Sequence, residues 1–146
     1  MAYVWSVGER LEKMIDQIWL PPHIHVWAGS AVLVTTLLSV LTSFVLALQN
    51  RAANIWLYSV WLLSQVSLMV QVLIGIKLLD QGLGPLQLYI HYLGGLGALF
   101  FYVLWYWLPK GLREWRWTLL ILSSSGFLFA LMAFTIGSMY VAEGRA

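Results

Sequence analysis

The stretch His25–Leu48, HVWAGSAVLVTTLLSVLTSFVLAL, carries no charged residue. It exceeds the roughly 20 apolar residues that a helix needs to cross a bilayer. Three more predominantly apolar stretches follow at Ala53–Leu79, Leu86–Leu108 and Trp117–Val141. Across 146 residues the chain is 61% hydrophobic and only 10% charged, with a mean hydropathy of +0.81. That leaves too little polar surface to clothe a soluble globule. The expected fold is all-α: an integral membrane four-helix bundle formed by 23–146 as one unit.

The connections set the topology. Gln49–Ala52, Asp80–Pro85 and Pro109–Glu114 are all short, which makes sequential helices antiparallel neighbours and predicts an up-down bundle. In that winding the first and third helices are diagonal to each other and run parallel. Residues 1–22 have a different character. Val4, Val7, Leu11, Ile15 and Ile18 recur at helical spacing, while Glu9, Glu12, Lys13 and Asp16 fall on the other side. Ser6 and Glu9 form a capping-box pattern, and Pro21–Pro22 ends the run. The acidic residues argue against a secretory signal. The expected element is an amphipathic helix lying at the membrane interface, with partner docking as the alternative.

Composition also excludes chemistry. With no cysteine there is no disulfide, thiolate metal site or thioether-linked haem. A net charge of +2, scattered along the chain, does not suit nucleic acid. No paired acids fall within the apolar stretches, and no catalytic constellation is visible. The basic residues divide evenly: Arg51, Lys110, Arg113 and Arg116 lie towards one face, Arg10, Lys13, Lys77 and Arg145 towards the other. The first set sits in tight loops beside Trp56, Trp105, Trp107, Trp115 and Trp117, an aromatic-belt pattern, and is assigned to the cytoplasmic face. A bacterial inner membrane is the expected location.

Each apolar stretch carries small and polar residues at helical period, and these predict the bundle interior. They run His25, Gly29, Val32, Thr36, Ser39, Ser43 on the first; Ser64, Ser67, Gln71, Gly75 on the second; His91, Gly94, Gly95, Ala98 on the third; and Ser123, Gly126, Ala130, Ala133, Gly137 on the fourth. Plain helix packing accounts for the fourth stripe. The first and third each begin with a histidine, and glycines follow one turn on, as though room were kept for a flat macrocycle. At about 1.5 Å per residue, His25 lies about 4 Å beyond Pro22 and His91 about 9 Å beyond Pro85, so helix tilt can bring both rings to one depth.

Two neutral imidazoles facing each other across a helical bundle are the axial ligand set of a haem iron. His25 and His91 are therefore the candidate metal ligands, and Gly29, Gly94, Gly95, Gln71 and Gly75 the candidate lining of a haem b site. The competing account makes each histidine interfacial, as His23 is read to be. Lys77 and Arg145 suit propionates or simple snorkelling. Met132 and Met139 read as packing rather than thioether ligands.

The run Gln71-Val-Leu-Ile-Gly75, followed by a short loop and Leu88-Tyr-Ile-His91-Tyr-Leu-Gly94, resembles haem A synthase and other small b-type membrane cytochromes with paired histidine ligands. In that family a histidine helix, a Gln/Gly helix and a second histidine helix follow one another. The resemblance covers the first three apolar stretches. It implies haem binding and not haem A synthesis, because the duplicated half and acidic loop of that enzyme have no counterpart here. The expected role is electron transfer, through haem b in this chain. Alternatively the chain is a non-catalytic accessory subunit of a respiratory or photosynthetic complex, with other membrane subunits as partners and at most one chlorophyll-type pigment. A substrate-transporting bundle is disfavoured by the lack of an inverted repeat, broken helix or buried charge.

Overall fold

The structure is a computed structural model that describes residues 18–83 and 89–142. Among the described residues there are five helices: α1 (His23–Leu48), α2 (Ile55–Asp80), α3 (Tyr89–Trp107), α4 (Lys110–Glu114) and α5 (Thr118–Ala142). The described residues include no strand. Three of the helices are long and apolar enough to cross a membrane: α1, α2 and the Thr118–Tyr140 part of α5. Helix α3 is shorter and mixes its leucines with tyrosine, tryptophan, glycine and His91.

Local chemistry explains the ends. Helices α1 and α2 both stop in a left-handed residue, Asn50 at φ 54° and Gly82 at φ 73°. The next amide then reaches back five residues, from Arg51 to the Leu46 carbonyl (3.0 Å) and from Leu83 to that of Leu78 (2.9 Å). These are Schellman closures, which satisfy carbonyls that the helix itself leaves open. Asn54 caps α2 by accepting from the Leu57 amide at 3.1 Å. The chain before α1 is tied to the end of α2: the Leu20 amide donates to Gln81 Oε1 (3.0 Å) and Gln81 Nε2 donates to the Leu20 carbonyl (3.2 Å). Ile18–Leu20 are not helical. The rest of the amphipathic helix expected in 1–22 lies outside the described residues.

One connection differs from expectation. Pro109–Glu114 was expected as a bare loop, but Lys110–Glu114 forms the short helix α4. Lys110 and Glu114 face each other one turn apart at 3.8 Å, and Thr118 Oγ1 donates to the Leu112 carbonyl. Proline at 109 suits the start of a helix because its missing N–H is not needed there.

Helix α1 packs against α2 and α5, while α3 packs mainly against α5 and less closely against α2. The interior follows the small-residue stripes in the main. Gly29, Val32, Thr36, Ser39 and Ser43 are buried on α1, Ser64 on α2, Gly94 and Ala98 on α3, and Ser123, Gly126, Ala130 and Ala133 on α5. The close approach of α3 to α5 requires glycine. A Cβ on Gly94 would lie 2.8 Å from Ala133 Cβ, and one on Gly126 would lie 2.6 Å from the Tyr102 ring. Aromatic residues complete the core: Tyr102 is fully buried and packs 4.5 Å from Trp61, which is 2% exposed. Trp105 departs from the expected belt. It is half-buried, 6.4 Å from Trp61 and 5.9 Å from Tyr58, whereas Trp56 and Trp107 do face outward.

Candidate functional site

The two histidines come together. His25 and His91 are each the third residue of their helices, α1 and α3, and their ring centroids are 5.8 Å apart with the planes inclined at 59°. Each ring is half-buried. Each also lies on a glycine of a neighbouring helix. A Cβ on Gly75 of α2 would come within 3.3 Å of His25 Cε1, and a Cβ on Gly137 of α5 within 3.1 Å of His91 Cε1. The glycines let the Cε1–Nδ1 edge of each imidazole come close to the helix backbone beside it.

Hydrogen bonds fix the tautomers. His91 Nδ1 is 2.8 Å from the Ala133 carbonyl. A carbonyl only accepts, so Nδ1–H donates and Nε2 of the neutral ring keeps its lone pair. Gln71 is oriented in the same way: its Nε2 donates to the His25 carbonyl at 3.1 Å. The same amide nitrogen is 3.3 Å from His25 Nε2, which therefore accepts. His91 thus keeps its Nε2 lone pair while Ala133 holds the ring, whereas the Nε2 lone pair of His25 is engaged by the Gln71 amide. The price of this arrangement is two orphans. His25 Nδ1 and Gln71 Oε1 are buried without a hydrogen-bond partner, and each such group costs about 1–3 kcal/mol.

The remaining candidates divide. Gly75 and Gln71 join the histidine cluster directly. Gly29 faces Gln71 Nε2 and the Phe134 ring, which a Cβ would meet at 3.2 and 3.3 Å. Gly94 is filled by Ala133 and the Phe129 carbonyl, and a Cβ on Gly95 would meet nothing within 4 Å. The room expected one turn past each histidine is accordingly taken up by neighbouring side chains and by helix approach at Gly29 and Gly94. Sequence reasoning assigned Ala133 and Gly137 to packing alone. Their four-residue spacing on α5 was the available signal for the carbonyl and the seat that hold His91.

Other polar groups stand apart. Lys77 Nζ pairs with Asp80 at 2.6 Å, and Arg145 lies outside the described residues. Met139 is 60% exposed and faces away from the histidines. Among the described residues no group of three or more His, Asp or Glu side chains could hold a metal ion by itself. Two imidazoles are thus the whole protein donor set here.

Comparison with protein-family models, curated proteins and solved structures finds no match to this chain.

Proposed function

We propose that this protein is a multi-pass membrane protein whose four long helices form an up-down bundle, that His25 and His91 are the axial ligands of a haem b, and that it takes part in electron transfer. The space at Gly29 and Gly94 is filled, so the helices must part to admit the macrocycle. The observation that carries this reading is the approach of the His25 and His91 rings, from two different helices, to a centroid separation of 5.8 Å. Two imidazoles ligating one iron at about 2 Å would have ring centroids about 6 Å apart.

The donor count favours haem over a bare ion. A structural zinc site needs four protein ligands, and this cluster offers two. A porphyrin brings its own four equatorial nitrogens and asks the protein only for axial ligands. A chlorophyll-type magnesium needs a single histidine, and would leave the second ring unexplained. When bound, haem would supply a one-electron couple. The chain's own contribution is to hold the ligands: Ala133 orients His91 through its Nδ1–H, as carbonyls do for metal-bound histidines. Gln71 orients His25 by donating to its carbonyl, and its bond to His25 Nε2 would give way to the iron.

The test is an absorption spectrum of the detergent-purified protein, oxidised and then reduced with dithionite. A sharpened α-band on reduction, lost in both His25→Ala and His91→Ala, is the expected result. Loss in only one variant would indicate a five-coordinate group instead. A colourless protein expressed with ample haem would refute the reading.

A further inference from the structure

At the end of the helices away from the histidines, the α1–α2 turn and α4 enclose a cavity of about 400 Å³. Its floor is apolar, made by the buried side chains of Leu46, Leu57 and Leu119. Its mouth is cationic: Arg51, Arg113 and Arg116 line it from the two connections. Glu114 also lines the mouth and is the one acid there, but it faces Lys110 at 3.8 Å. Ser43 also lines the cavity, one turn deeper on α1 than Leu46; it is 2% exposed and its buried Oγ has no hydrogen-bond partner.

Two of the three arginines are held in place. Arg116 donates to Asn50 Oδ1 at 2.9 Å and lies 5.1 Å over the Trp117 ring. Arg113 lies 5.5 Å over Trp105. Three guanidinium groups from two segments far apart in sequence converge on one opening, and guanidinium forks match phosphate oxygens. An apolar floor beneath a phosphate-matching mouth follows the order of a glycerophospholipid, acyl chain below headgroup.

We propose that this cleft binds the phosphate group of an anionic phospholipid, seated by Arg51, Arg113 and Arg116, with the start of the acyl chain against the floor at Leu46, Leu57 and Leu119. Free phosphate shares the headgroup chemistry but cannot use the floor. The site is independent of the haem reading.

The full chain in a non-ionic detergent is examined by native mass spectrometry with added phosphatidylglycerol, phosphatidylcholine or inorganic phosphate. A one-to-one phosphatidylglycerol adduct is expected that phosphatidylcholine does not form and millimolar phosphate does not displace. Each Arg→Gln change should weaken it about fivefold and the triple change about a hundredfold. Ala53→Trp, which blocks the mouth and leaves every charge in place, should also abolish it. Circular dichroism checks that each variant keeps its helices. Adducts that survive Ala53→Trp while falling with the arginines would mean diffuse surface attraction and overturn the proposal. Displacement by inorganic phosphate, or equal binding of phosphatidylcholine, would overturn it as well.

Discussion

Gly94→Ala tests how tightly the packing of α3 on α5 is coupled to the histidine site. The new Cβ would lie 2.8 Å from Ala133 Cβ, 3.0 Å from the Phe129 carbonyl oxygen and 3.1 Å from the Ala133 nitrogen. Carbon atoms rest about 3.5–4.0 Å apart. None of the three neighbours is the far end of a flexible side chain, so relief requires the helices to part by about 0.7 Å. Overpacking of this kind costs about 1–3 kcal/mol. The same displacement acts on the site. Ala133 carries the carbonyl that holds His91 Nδ1 at 2.8 Å, and a shift of about 0.7 Å stretches that bond to the edge of hydrogen-bonding range. Loss of such a supporting contact lowers metal affinity by about 10–100-fold. Gly95→Ala is the control, since its Cβ would meet nothing within 4 Å. It should gain up to about 1 kcal/mol from helix propensity. Thermal unfolding in detergent and haem titration measure the two effects. If Gly94→Ala unfolds at the same temperature as Gly95→Ala, the close-approach argument fails. If it is less stable but binds haem at full affinity, Ala133 does not position His91.

Gly137→Val should crowd the His91 ring, where a Cβ already comes within 3.1 Å, and weaken the reduced α-band well before it lowers the melting temperature. An unchanged spectrum would show that His91 does not need its present seat. Ser64→Ala removes the hydroxyl that donates from α2 to the Thr35 carbonyl at 2.9 Å. It should cost about 0.6 kcal/mol, the usual size of such bonds between membrane helices, and leave the haem spectrum untouched. A loss of several kcal/mol in detergent unfolding would mean that Ser64 belongs to a larger network.

What could be read from sequence followed from physics that acts locally. The bounds of α1, α2 and α5 fall within two residues of the expected apolar stretches, because the end signals are chemical: Pro22 before α1, Asn50 and Gly82 after α1 and α2. The stripes succeeded where a small residue is needed for close approach, as at Gly94 and Ala98. They failed where a large side chain fills the interior. Trp61, Gln65 and Tyr102 lie in the core because Gln65 Nε2 donates to the Tyr102 carbonyl at 3.1 Å and the Trp61 and Tyr102 rings stack at an angle. No single-helix pattern contains those pairings. The histidine pair was legible because both rings fall early in their helices. Which helix would seat each ring was not, since a seat depends on the register between helices.

That register explains why the site has no charged residue and few polar ones. His25 rests on Gly75 of α2, and His91 rests on Gly137 of α5. Neither ring is supported by the helix that carries the other. The two histidine helices are thus located relative to each other through α2 and α5, by glycine contacts and by the Gln71 and Ala133 hydrogen bonds. In an apolar surrounding this brings two imidazoles together without a charged support. Ion pairs there would carry a desolvation cost of several kcal/mol per charge, whereas a glycine seat carries none. Substitutions at Gly75 and Gly137 should accordingly disturb the geometry of the pair while leaving both histidines in the chain.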